Sequence, residues 1–172
     1  KETKDAVSEY FPNLKDNDDY TSIINESHYD RLKDLLDDAI EKGASVDEIN
    51  PSNEDFSQQE FYKIPPTIVT NTTDDMKIMQ EEIFGPLLPV VEYDEIDEAT
   101  NLINSKDRPL GLYYFGSDKS EEDNVLNKTS SGGVTVNNVI SHLQQNDLSF
   151  GGVGPSGMGR YKSFEGFKNF SN

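Results

Sequence analysis

Residues 87–136 read LLPVVEYDEIDEATNLINSKDRPLGLYYFGSDKSEEDNVLNKTSSGGVTV. Three apolar runs in this stretch, Leu87 to Tyr93, Leu112 to Phe115 and Gly133 to Val136, have the length and side chains of strands. Between the first two, Ile96, Ala99, Leu102 and Ile103 share one helical face. Asp94 stands before them, where it can cap a helix running to about Asn104. Between the second and third runs, Asp118 or Ser120 opens a helix carrying Val125 and Leu126. Strand, helix, strand, helix, strand with short connections predicts an α/β layer with parallel neighbours.

On the N-terminal side, residues 2–11 read as a helix stopped before Pro12, and 13–25 as polar turns. Ser27 to Lys42 is the clearest helix, with Leu32, Leu35, Leu36, Ala39 and Ile40 on one face and Gly43 placed to end it. Residues 44–58 read as loop, with a short strand around Ser45 and Val46. Phe61 to Ile64 and Thr67 to Thr70 read as strands flanking Pro65-Pro66. On the C-terminal side, Phe164 to Phe170 predicts a last helix. A chain of 172 residues suits one domain, 1–172.

Composition narrows the class. Leu, Ile, Val and Phe make up 42 of 172 residues, enough for a modest core. Fifteen basic against 33 acidic residues give a net charge of −18. That argues against a nucleic-acid partner, which requires a basic stripe. No apolar run is long enough for a membrane span. No signal peptide follows the charged start, so the expected location is the cytoplasm. The chain begins at Lys1 rather than Met, as a processed or truncated product would. With no cysteine, disulfides, cysteine-bound zinc and a cysteine nucleophile are absent from these residues. Two histidines, His28 and His142, on separate segments predict no metal site.

The charge is uneven: residues 1–60 carry −11, 61–129 carry −8, and 130–172 carry +1 with 8 of the 12 glycines. A site for an anionic ligand is therefore sought in the neutral last quarter.

Three features carry chemistry. In Glu81-Glu82-Ile83-Phe84-Gly85-Pro86, a carboxylate can accept hydrogen bonds from two adjacent hydroxyls, such as those of a ribose. The aromatic two residues on can lie against a flat ring. The plainer alternative is that Glu82 caps a turn and Phe84 is core. Gly151-Gly152-Val153-Gly154-Pro155-Ser156-Gly157-Met158-Gly159 is either a phosphate cradle or a tightly packed loop shaping a neighbouring pocket; it matches neither nucleotide-binding glycine fingerprint. Ser131 to Asn138 is a glycine turn entering a strand that ends in two amides, where α/β folds place sites.

Taken in order, these strings resemble the C-terminal part of the NAD(P)-dependent aldehyde dehydrogenase superfamily. The resemblance rests on residues 81–86, Pro109-Leu110-Gly111-Leu112, Ser131-Gly132-Gly133-Val134, and Phe150-Gly151-Gly152 through Gly157-Met158-Gly159. Asp19 to Ile24, Tyr29-Asp30-Arg31-Leu32, His142 and Gly159-Arg160-Tyr161 resemble the coniferyl-aldehyde and class-3-like branch.

The resemblance implies most of a catalytic domain: a three-layer α/β lobe with a largely parallel sheet flanked by helices. It implies oxidation of an aldehyde, of aromatic, coniferyl type on the branch resemblance, to a carboxylic acid with NAD or NADP. In the family a cysteine thiolate attacks the carbonyl and a glutamate-activated water releases the acid. Carried over by position, Glu82 accepts from the nicotinamide ribose and Phe84 packs beside the nicotinamide. Phe150 and, less closely matched, His142 line the substrate pocket. No catalytic residue falls within the chain; the cysteine, the general base and the cofactor-binding half are expected upstream. The implied partners are a small-molecule aldehyde and the rest of the polypeptide, in a homo-oligomer.

The sequence departs from the pattern at Ser149, where Pro is usual, at Ser163, where Gly is common, and at Asn138, where Asp is common. The alternative reading is a stand-alone, non-catalytic acidic domain that binds a partner. A dinucleotide- or phosphate-binding module built on the glycine loop is the third.

Overall fold

The computed structural model describes residues 1–57 and 60–171. It is an α/β structure, and its contacts divide it into two compact units, Lys1–Glu92 and Tyr93–Asn172.

The first unit opens with helix α1 (Glu2–Tyr10), followed by α2 (Glu26–Glu41). The Asn25 side chain accepts from the His28 N–H at 3.0 Å and caps α2. Gly43 ends it at φ +96°. Its N–H bonds the Ile40 carbonyl and the Ala44 N–H bonds that of Ala39, a Schellman closure that only a residue at ease with positive φ makes cheaply. Strand β1 (Ser45–Glu48) pairs antiparallel with β2 (Thr67–Thr70), and β2 pairs parallel with β3 (Leu87–Pro89). Leu32, Leu35 and Ala39 on α2 meet Val69, Met76, Ile78 and Leu87 in one buried core.

The second unit holds α3 (Ile96–Ser105), β4 (Gly111–Tyr114), α4 (Lys119–Lys128), β5 (Gly133–Val136), a short α5 (Ser141–Gln144) and α6 (Ser163–Asn169). β4 and β5 pair in parallel, with α4 as the crossover. The Asp118 carboxylate accepts from the Ser120 and Glu121 N–H groups at 2.8 and 3.2 Å, capping α4. The Ser120 hydroxyl, donating to it at 2.8 Å, and these two N–H groups hold its pKa below the usual range. Leu112, Tyr114 and Val125 form the core, flanked by Ile96, Ile103, Val134 and Val136.

Several expectations need correction. Phe61 to Ile64 is not a strand: the Tyr62 carbonyl accepts from the Ile23 N–H at 2.7 Å, and Lys63 turns inward. The Lys63 ammonium, buried, donates to the Leu14 and Asn17 carbonyls at 3.0 and 2.7 Å. β3 stops at Pro89 rather than reaching Tyr93, and its partner is β2. Asp94 does not cap α3; Glu95 holds that position without a side-chain bond, and the Glu98 carboxylate reaches back to the Asp94 N–H at 3.3 Å. Among the described residues the parallel pairings are thus distributed over two sheets, one of three strands and one of two.

Candidate functional site

The loop 81–86 connects the 3₁₀ turn Lys77–Met79 to β3. Phe84 is not core: it is 72% exposed and sits at φ +49°, a left-handed conformation that is costly for a bulky residue. Glu82 does not cap a turn. Its backbone carbonyl accepts from Arg31 at 3.2 Å, while its carboxylate is exposed and has no partner among the described residues. Arg31 also donates to the Glu81 carboxylate at 3.0 Å and to the Ile83 carbonyl. Two neighbouring side chains therefore point outward from a loop whose backbone is held. A lone carboxylate, able to accept from two adjacent hydroxyls, beside an exposed aromatic, able to lie against a flat ring, is a pair of groups that fits a ribose carrying such a ring.

In the second unit the structure brings His142 and Phe150 together, with ring centroids 6.3 Å apart. Tyr113 stands 6.1 Å from His142, and Tyr161 meets Phe150 edge-on at 5.4 Å. His142 is seated by alternation along β5: Gly133 and Thr135 share a face. A Cβ on Gly133 would come within 2.6 Å of the imidazole Cδ2, so a side chain at 133 would push the ring out of this position. The Thr135 hydroxyl lies 2.7 Å from His142 Nδ1. Ile140, at φ +62°, makes the turn into α5 that carries His142.

The two amides after β5 serve structure. Asn137 exchanges two hydrogen bonds with the Gly116 backbone, each at 2.9 Å, and the Asn138 side chain accepts from the Val139 N–H at 2.8 Å. In the glycine loop, a Cβ at 151 would lie 2.2 Å from the Gly159 carbonyl oxygen, and one at 152 would lie 2.1 Å from that of Ser156. The Ser156 hydroxyl is spent on Val153, accepting at 2.8 Å and donating at 3.1 Å. This favours the packed-loop reading over a phosphate cradle. Ser163, where glycine is common in the resemblance, keeps a left-handed φ of +55°.

Arg31, Tyr113, Thr135 and Tyr161 were not singled out by side-chain chemistry in the sequence. Thr135 could have been, since it alternates with Gly133 on one strand face. Arg31 lies 50 residues from Glu81 and gave no local signal.

Among the described residues no helix is long and apolar enough to cross a membrane. The model of the aldehyde dehydrogenase family matches residues 3–172. A probable coniferyl aldehyde dehydrogenase of Caulobacter vibrioides is 59% identical over all of this chain, which covers 36% of that protein. Rat aldehyde dehydrogenase family 3 member A2 is 43% identical over 98% of the chain, covering 33% of its length. A solved structure described as the substrate-bound state of Staphylococcus aureus AldH superposes with a TM-score of 0.85 at 37% identity, over 98% of this chain and 35% of that one. The chain thus spans about a third of the length of the relatives it matches.

Proposed function

The chain belongs to the aldehyde dehydrogenase family, and from that premise we propose that residues 1–172 are the C-terminal part of a catalytic domain in an enzyme that oxidises an aldehyde to a carboxylic acid. The loop 81–86 carries the reading. A carboxylate without an internal partner next to an outward aromatic is an arrangement with nothing to gain for the fold, and much to gain from a riboside with a flat ring. Glu82 accepts from the two ribose hydroxyls, and Phe84 covers one face of the nicotinamide. When bound, NAD or NADP supplies the two-electron oxidant. The nucleophile, a cysteine in this family, comes from the rest of the polypeptide, since this chain has no cysteine, and the family resemblance places the general base there too.

Phe150 and His142 line the entry for the aldehyde. With Tyr113 and Tyr161 they form a continuous aromatic group, which favours a flat substrate and agrees with the coniferyl-type substrate in the name of the Caulobacter relative. The test compares the 172-residue chain with the whole protein, each mixed with NAD or NADP and an aromatic aldehyde while reduced cofactor is followed by absorbance. Turnover is expected from the whole protein and not from the chain. Turnover by the chain alone, or none by the whole protein with any aldehyde, overturns the reading. In the latter case a non-catalytic binding domain takes its place.

A further inference from the structure

Resting on the reading of Glu82 and Phe84 as cofactor-facing groups, we propose that Arg31 is their positioning residue, and that the Glu81-Glu82 pair divides its labour around it.

Phe84 occupies a backbone conformation that side chains disfavour. Such a residue stays put only when both flanks are fixed. On the C-terminal flank, Gly85 lies so close to the fully buried Leu32 that a Cβ there would meet its Cδ1 at 2.5 Å. The Pro86 carbonyl accepts from the Thr67 N–H at 2.8 Å, which ties the loop to β2. The N-terminal flank is held by Arg31, the residue before Leu32 on α2. Its guanidinium contacts three consecutive residues: the Glu81 carboxylate, the Glu82 carbonyl and the Ile83 carbonyl. Adjacent residues of one helix thereby grip both sides of Phe84.

Arginine suits this task because its planar fork serves several acceptors in fixed directions. Its charge is taken by Glu81. Glu82, next in sequence, is left without a cation and keeps both carboxylate oxygens for an outside donor. Without Glu81, Arg31 would be drawn to Glu82 and would compete with the ribose hydroxyls.

The experiment measures dinucleotide binding by equilibrium titration on the whole protein. It uses parental, Arg31→Met, Arg31→Lys and Glu82→Gln forms, with NAD as probe and ADP as control for the adenosine end, which this loop does not hold. Glu82→Gln is expected to weaken NAD and leave ADP unchanged. Arg31→Met is expected to weaken NAD about tenfold, the scale of one charge-assisted hydrogen bond, again with ADP unchanged. Arg31→Lys should fall between Arg31→Met and parental, because it keeps the charge and loses the fork. If Glu82→Gln weakens NAD while folded Arg31→Met binds it normally, the positioning role is refuted and the reading of Glu82 stands. If NAD and ADP weaken together in the Arg31 variants, Arg31 merely supports the fold and the proposal falls. Unchanged NAD binding in Glu82→Gln overturns the cofactor-facing reading itself. Should Arg31→Met not fold, Arg31→Lys decides on the same two probes.

Discussion

Two glycines two residues apart, Gly152 and Gly154, should lose unequal stability on substitution by alanine, far more at 152 than at 154. At 152 the new methyl would sit 2.1 Å from the Ser156 carbonyl oxygen, 2.3 Å from its carbon and 2.6 Å from the Gly157 nitrogen. All three are backbone atoms, so no rotamer change relieves the overlap. The segments must part by about 1 Å to restore ordinary contact distances. That motion pulls on the Ser156–Val153 hydrogen bonds and the Gly157-to-Gly154 bond. Overpacking costs about 1–3 kcal/mol, and one weakened hydrogen bond adds about 1 kcal/mol, so Gly152→Ala should cost about 2–4 kcal/mol. At 154 nothing lies within 4 Å, and the only penalty is the left-handed φ of +62°, about 1 kcal/mol. The assay is denaturant unfolding followed by far-UV circular dichroism, comparing midpoints at constant slope. The damage is local: Gly152→Ala should disturb the aromatic proton resonances of Phe150 and Tyr161, two and nine residues away in the chain, and Gly154→Ala should not. Equal midpoints, or a larger loss at 154, would refute close backbone packing as the reason for the glycine run.

Leu32→Ala should cost about 2–5 kcal/mol by emptying the centre of the first core, read as a lowered denaturant midpoint. Asp38 is held below the usual aspartate pKa by the Lys77 N–H and by Lys42. A depressed carboxylate stabilises above its unfolded pKa of about 4, and that contribution is lost as pH falls through the folded value. Asp38→Asn should therefore lower the unfolding midpoint at neutral pH, with the gap to the parental protein closing below about pH 4. Phe164, Phe167 and Phe170 are exposed on and just after α6, so the isolated chain should self-associate; light scattering at high concentration that gives only the 19.3 kDa monomer would count against this.

What could be read from the sequence was what is local in physical origin. The Gly43 closure and the bounds of β5 each depend on a few neighbouring residues and stand where the pattern put them, and of the two residues that could open α4, Asp118 is the cap. Hydrophobicity was a poorer guide where the outcome depended on distant partners. Val90 and Val91 are as apolar as a strand demands, yet they lie outside β3 and remain partly exposed. Phe61 to Ile64 lost its strand because Lys63 finds carbonyls 49 and 46 residues earlier, and no periodicity reports that.

The same distinction runs through the candidate site. Glu82 and Phe84 could be picked out as residue types, but that they are free to meet a ligand could not, because their freedom is produced elsewhere. Arg31 takes Glu81 as its counter-ion from 50 residues away, and Leu32 leaves no room for a side chain at 85. A carboxylate pair in a sequence thus shows two acids with one apparent role. Only the position of the single cation separates the acid that holds the loop from the acid that faces outward, and that position is set by the packing of α2.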